Sequence, residues 1–252
     1  MIKRAFNVLI KDTTVLDKYY QNSGDIPSSS KKFKESIDKL LSPYVINGDE
    51  LSDLLFKLDD VDAFISYSHK DEQFAKMFST YLSVVFNFKV FLDCDTWKSS
   101  DDLLQAIDDK YCKNVGTGNY NYKKRNLSTG HVHSMLSTAI FKQISKSKFV
   151  FFLRTQNSVP TITSSMNDKT STNSPWIYEE IVYTDTIIKL QNDTKTHLKE
   201  NVKVFDKNNL VINRKLPLDS FTVLEWEDFI FLESKKGDYS DSVKLFEEYN
   251  NN

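Results

Sequence analysis

Three short stretches of this chain carry side chains suited to chemistry on a polar ligand. Ser66-Tyr-Ser-His-Lys-Asp71 offers hydroxyls, an imidazole and closely spaced amides, a set able to hold phosphates or a ribose. Asp93-Cys-Asp-Thr-Trp97 offers two carboxylates for ribose hydroxyls and an indole on which a flat ring can stack. In Ser174-Pro-Trp-Ile-Tyr-Glu-Glu180, Trp176 and Glu180 stand i and i+4, on one face of a helix that Ser174 caps and Pro175 opens. A glutamate in the opening turns of a helix is kept ionised by the helix dipole, and it can stabilise a cation of the kind that glycosidic cleavage produces. Each stretch also has a plain structural reading. These are an N-cap of Ser68 and Asp71 beside a surface histidine, a polar turn closed by a packed tryptophan, and a core Trp176 followed by a solvent-facing Glu180. A fourth group, His131 and His133 near Tyr120 and Tyr122, lacks zinc-site spacing, because i and i+2 do not share a helix face and no cysteine or third histidine stands close. No Walker loop, dinucleotide glycine fingerprint, nucleophile elbow or HExxH occurs in the sequence.

The elements that must position these stretches follow from hydrophobic spacing. Ala63-Phe-Ile-Ser66 is a short apolar strand, and Ser68, three residues before Asp71, has capping-box spacing. Phe74, Met77, Phe78, Tyr81 and Val85 recur at helical spacing, and Phe88 to Leu92 is a second strand. Strand, helix and strand make a right-handed βαβ unit of a parallel sheet. Ser66 to Asp71 then lies at the carboxyl edge of a strand, where open α/β sheets bind their ligands.

Ser99 and Asp102 repeat the cap spacing before a short helix through Leu103, Leu104, Ile107 and Tyr111. Residues 112 to 130 read as an irregular polar insertion, followed by a helix with Val132, Leu136, Ile140 and Ile144. Phe149-Val-Phe-Phe-Leu153 is apolar throughout, as a buried central strand is. The polar loop from Arg154 to Ser174 has a length usually associated with function or mobility. After the helix that opens at Pro175, strands are expected at Val202 to Phe205 and Phe221 to Leu224, with helices near Trp226 to Leu232 and Ser240 to Tyr249. Residues 1 to 58 read as a helical extension, from the spacing of Phe6, Leu9 and Ile10, of Phe33, Ile37, Leu40 and Leu41, and of Leu51, Leu54, Leu55 and Leu58. The expected organisation is this extension, an α/β domain over 59–236, and a C-terminal helix and tail over 237–252.

Bulk properties narrow the function classes. The 252 residues include 18 Phe and 12 Tyr, enough aromatic material for a real core, and the formal charge of -2 argues against nucleic acid as a partner. The basic residues Lys110, Lys113, Lys123, Lys124 and Arg125 form only a short patch, read as a solvated loop. Cys94 and Cys112 fit neither a disulfide framework nor a metal site, and read as free thiols of a reducing compartment. Met1-Ile-Lys-Arg starts as a signal peptide does, but Asn7, Lys11 and Asp12 interrupt the apolar run, and no stretch is long enough for direct membrane insertion. The expected location is cytoplasmic.

In order along the chain, Asp62 to Asp71, Lys89 to Asp93, Ile140 to Leu153 and Ser174 to Ile181 resemble the TIR domain family, especially its bacterial members. The resemblance spans roughly residues 61 to 225, and Trp97 to Leu104, Tyr122 to Arg125 and His131 to Leu136 look like a bacterial subgroup with a long insertion. It implies an open parallel five-stranded sheet in the flavodoxin-like order 2-1-3-4-5, with the Ser66–Asp71 and Arg154–Ser174 loops facing each other at the switch point. Enzymatic members are NAD⁺ nucleosidases that release nicotinamide and leave ADP-ribose or a cyclised product, and many bacterial ones serve antiphage defence. Their catalytic glutamate lies four residues after a tryptophan, which falls here on Glu180. Ser66, Tyr67, His69, Asp93, Trp97, His133 and Trp176 are then the residues that would hold NAD⁺, which is the substrate, with no cofactor required. Other members are adaptors, so the implied partners are further copies of the chain, other TIR-containing proteins or effectors. One departure is plain: the loop after the second strand, which gates the site and builds assemblies in the family, runs here through a helix and an insertion.

Overall fold

The fourteen helices and strands described below come from a computed structural model that describes residues 1–19, 41, 47–55, 58, 60–92, 94–114, 116–160, 170–192 and 212–249, with the backbone alone at 54–55 and 94–100. Strand β1 is Arg4–Leu9, followed by α1 (Gly48–Leu55), β2 (Ala63–Ser66), α2 (Glu72–Phe86) and β3 (Val90–Leu92). Then come α3 (Cys94–Ile107), α4 (Tyr122–Lys146), β4 (Phe149–Leu153), β5 (Ser171–Thr172), α5 (Pro175–Gln191), β6 (Arg214–Lys215), β7 (Phe221–Glu225), α6 (Trp226–Lys235) and α7 (Tyr239–Glu248). The chain divides into two compact units, Met1–Ser23 with Asp60–Leu92 and Gln143–Asn252, and Gly24–Asp59 with Asp93–Lys142.

The first unit is built on a five-stranded sheet in the order β3-β2-β4-β1-β7, and each neighbouring pair is parallel. With helices flanking it, this is the expected flavodoxin-like α/β fold. The 2-1-3 start of the expected order is kept by β3, β2 and β4. The next place belongs to β1, and the expected strand at Val202–Phe205 lies outside the described residues.

β1 therefore corrects one expectation: Phe6, Leu9 and Ile10 do not share a helix face, because Arg4–Leu9 is a strand in the middle of the sheet. Its four inner residues are all buried, since β4 and β7 flank it and both of its faces are covered. A strand buried on both faces shows no alternation, and a segment as short as Arg-Ala-Phe-Asn-Val-Leu fits either period. The last part of the extension, α1, is helical as expected.

Two further expectations change. The Asp93 stretch is not a turn beyond Asp93 itself, which is outside the described residues: Cys94 already begins α3, so no new helix starts at Ser99. The insertion is shorter than 112–130, because α4 is one helix from Tyr122 and Gly130 lies within it. A glycine costs a helix interior only about 1 kcal/mol, so Gly130 is a weak breaker within 25 residues.

Alternation along the strands divides the core by face. Phe6 and Phe151 are in register and stack at 5.2 Å, and on their face lie Phe78 of α2, 5.7 Å from Phe151, and Phe246 of α7, 5.7 Å from Phe6. Phe229 of α6 meets Phe78 edge-on at 5.4 Å. The opposite face carries Ser66 and Phe152, also in register. At the amino edge, Asp62 accepts hydrogen bonds from the Lys89 amide at 2.9 Å, from Lys148 Nζ at 2.6 Å and from the Tyr239 hydroxyl. Burial pushes the Asp62 carboxyl up, but these donors outweigh it and hold the group below its usual value. Among the described residues, no helix is long and apolar enough to cross a membrane.

Candidate functional site

β2 ends at Ser66, and its chain leaves through a single 3-10 turn, His69–Asp71, into α2 on the Phe151 face of the sheet. The chain that leaves β4 returns as α5 on the other face, where Ser66 points. Loops that diverge to opposite faces from adjacent parallel strands open a crevice at the carboxyl edge, the usual ligand site of such sheets.

α5 starts as its sequence predicts. Ser174 accepts a hydrogen bond from the Ile177 amide at 3.3 Å, and Pro175 takes the first helical position, where its missing N–H costs nothing. Before the helix, the antiparallel pair β5–β6 sets Thr172 against Arg214, whose guanidinium lies 4.9 Å over the Tyr178 ring. The sheet-facing side of α5 carries Ile177, Glu180, Ile181, Thr184 and Asp185, all buried. Glu180 is 2% exposed, and Ser66 Oγ donates to its Oε2 at 2.6 Å. This short hydrogen bond joins two buried side chains, one from β2 and one from α5.

Of the residues expected to form the site, Ser66 and Glu180 are thus in direct contact. Tyr67 is buried, and its ring lies 6.3 Å from that of the exposed His69. Trp176 is half-buried one turn before Glu180 on α5. Asp93 lies outside the described residues. Trp97 lies on α3 and the half-buried His133 on α4, within the second compact unit.

The expected capping box is not made. Ser68 and Asp71 stand at N-cap positions, yet neither side chain caps its helix. Asp71 reaches instead to the chain that follows β4. Its Oδ2 accepts from Thr155 Oγ1 at 2.6 Å, and its Oδ1 from Asn157 Nδ2 at 2.6 Å. The 155–159 segment is folded on itself: the Asn157 and Ser158 amides both donate to Thr155 Oγ1 at 3.1 Å, and Ser158 Oγ donates to the Leu153 carbonyl at 3.0 Å. Thr155 and Asn157 were not anticipated from the sequence. The only local signal was a Thr-x-Asn-Ser run directly after a strand, which reads as an ordinary turn.

In the second unit, α3 passes into a π-helical turn, Asp108–Cys112. Asp108 is 3% exposed and accepts from Ser128 Oγ at 2.6 Å and Arg125 Nε at 2.7 Å. Burial raises the Asp108 carboxyl, but these two bonds dominate and hold it below its usual value. Lys113 and Tyr120 pair as an isolated antiparallel bridge, and the Tyr120 ring lies 5.6 Å from Lys113 Nζ and 5.2 Å from the Arg125 guanidinium. These groups line part of a cavity of about 210 Å³ bounded by Asp101, Leu104, Gln105, Asp108, Tyr120 and Arg125. Cys112 is free and buried, and burial pushes its thiol up, away from the reactive thiolate. Among the described residues, no group of three or more His, Cys, Asp or Glu side chains could hold a metal ion.

No family model, curated protein or solved structure matches this chain.

Proposed function

We propose that the protein is a TIR-type NAD⁺ nucleosidase acting at the carboxyl edge of β2 and β4. The observation that carries the reading is the Ser66–Glu180 contact, a carboxylate fixed at the switch point of a flavodoxin-like sheet. In this reading Glu180 is the catalytic residue. As the nicotinamide–ribose bond breaks, the bonding pair leaves with nicotinamide as a neutral ring, and positive charge develops on the ribosyl carbon. One preorganised negative charge in a dry site is worth several kcal/mol to such a transition state, and no paired general acid is needed. Water adding to that carbon and losing a proton yields ADP-ribose, while an internal nucleophile yields a cyclic product. Tyr67, His69 and Trp176 flank the ligand. The bacterial setting that fits is cytoplasmic antiphage defence, with association between copies or with other TIR-containing proteins as the trigger.

A second reading, a non-catalytic module acting through assembly, is favoured by one observation: Glu180 is 2% exposed. The test is NAD⁺ consumption and product mass for the wild type, Glu180→Gln and Glu179→Gln, the last pointing about 100° away around the helix. Loss in Glu180→Gln alone supports the nucleosidase. Equal activity in all three removes Glu180 from the chemistry, and no turnover in concentrated wild-type protein leaves the assembly module. If association completes the site, specific activity rises with protein concentration. Replacing residues 114–119 then lowers it, while Tyr120 and α4 remain intact.

A further inference from the structure

Asp71 makes an unusual choice for a residue at the start of a 15-residue helix. An aspartate there ordinarily accepts from the amides of the first turn. Here it leaves them and spends both carboxylate oxygens on Thr155 and Asn157. The two partners follow β4 directly, so the bond pair joins the chain leaving β2 to the chain leaving β4 at the carboxyl edge of the sheet. At the same carboxyl edge the candidate site is closed to water: Ser66 is fully buried, Tyr67 is 3% exposed and Glu180 2%. The bridge itself is not shut in. Asp71 and Thr155 are half-buried and Asn157 is exposed, so water can compete for each of its bonds.

We infer that the Asp71–Thr155–Asn157 bridge is an autoinhibitory tie across the crevice mouth, whose release admits a ligand to Glu180. The inference deepens the nucleosidase reading and rests on it for the identity of the ligand, though not for the existence of the tie. A carboxylate held by a hydroxyl and an amide occupies donors that an anionic ligand could itself engage. Binding and release therefore compete for the same hydrogen bonds. When the competent state is a minor population, apparent affinity is reduced by that population, and a change that favours the open state restores it.

The test has two arms. In the first, hydrogen–deuterium exchange of amides 155–159 is followed without ligand in the wild type, in Asp71→Ala, in Asn157→Ala, and in the double variant, with Thr155 kept because its hydroxyl also accepts from the Asn157 and Ser158 amides. Removing Asp71 takes away no helix cap, so α2 serves as the internal control. Exchange in the segment several-fold faster in Asp71→Ala, with α2 unchanged, is the expected result. Asn157→Ala, which breaks one of the two bonds, should shift exchange the same way by a smaller factor, and the double variant should go no further than Asp71→Ala, because both sides break one tie. Unchanged exchange in Asp71→Ala overturns the inference. The second arm measures NAD⁺ turnover. Release of a tie lowers KM about threefold to tenfold and leaves kcat alone. A higher KM or a lower kcat with the faster exchange means that Asp71 shapes the site rather than bars it, which also overturns the inference. If neither the wild type nor Asp71→Ala turns over NAD⁺, the nucleosidase reading fails, and the tie then stands or falls on exchange alone.

Discussion

Asp62, directly before β2, and Asp71, five residues after its end, each accept hydrogen bonds from chain that belongs to other strands, but the two edges they close are built differently. At the amino edge the Asp62 carboxylate is 5% exposed and takes an ammonium, a phenol and an amide, from the approaches to β4, α7 and β3. At the carboxyl edge Asp71 is half-buried and takes a hydroxyl and an amide side chain, both neutral. Hydrogen bonds to a buried, charge-paired group are worth more than neutral ones in reach of water, and a broken buried pair leaves a stranded charge. The amino edge is therefore a fixed seam among four segments. The carboxyl edge, where ligands bind in sheets of this kind, is joined by bonds weak enough to exchange.

The largest effect should come from breaking the seam. Asp62→Ala leaves Lys148 and Tyr239 without their shared acceptor, and a loss of about 2 kcal/mol is expected after allowing for the partial exposure of Lys148. Urea unfolding measures it, and a change under about 0.5 kcal/mol would erase the contrast between the edges. The same residue sets an acid limb. Because folding holds the Asp62 carboxyl below its ordinary 3.8, its contribution is fully present above that value and is lost as pH falls through the lower folded value. Asp62→Asn should flatten this part of the stability–pH curve below about pH 4, and an unaltered curve would show that other carboxylates govern it.

A smaller loss, about 1–2 kcal/mol, is expected for Ser66→Ala, which removes a donor from the buried Glu180 carboxylate. It is read from the same unfolding curves, and a stabilised variant would show that this contact is strained. Smallest of all, Asp71→Ala should cost under about 1 kcal/mol of global stability. A loss as large as that of Asp62→Ala would make the carboxyl edge a seam as well and sharpen nothing.

Much of the frame around these edges was legible in the chain. Ala63–Ser66, Phe149–Leu153 and Phe221–Leu224 read as strands because short apolar runs bounded by polar residues have few other uses, and the β2–α2–β3 unit forced a parallel pairing. Ser174 and Pro175 located the start of α5, since capping is a local matter of one side chain and the amides of the next turn. From that start, the spacing of Trp176 and Glu180 along the helix followed without any knowledge of the sheet.

What the local pattern could not decide is where each residue spends its hydrogen bonds when a distant partner is available. Arg4–Leu9 became a central strand because β4 and β7 supply its backbone partners, and those neighbours lie 145 and 216 residues away in sequence. Ser68 and Asp71 have the spacing of a capping box, but a carboxylate beside Thr155 and Asn157 finds a better use there than in its own first turn. Glu180 could be read as solvent-facing or as a site residue, and only the register of α5 on the sheet turned it onto Ser66. Composition and spacing determined which elements form and which side chains are equipped for chemistry. The tertiary structure decided which of them meet, because contacts between strands and loops far apart in sequence depend on topology, and topology leaves no periodic trace in the chain.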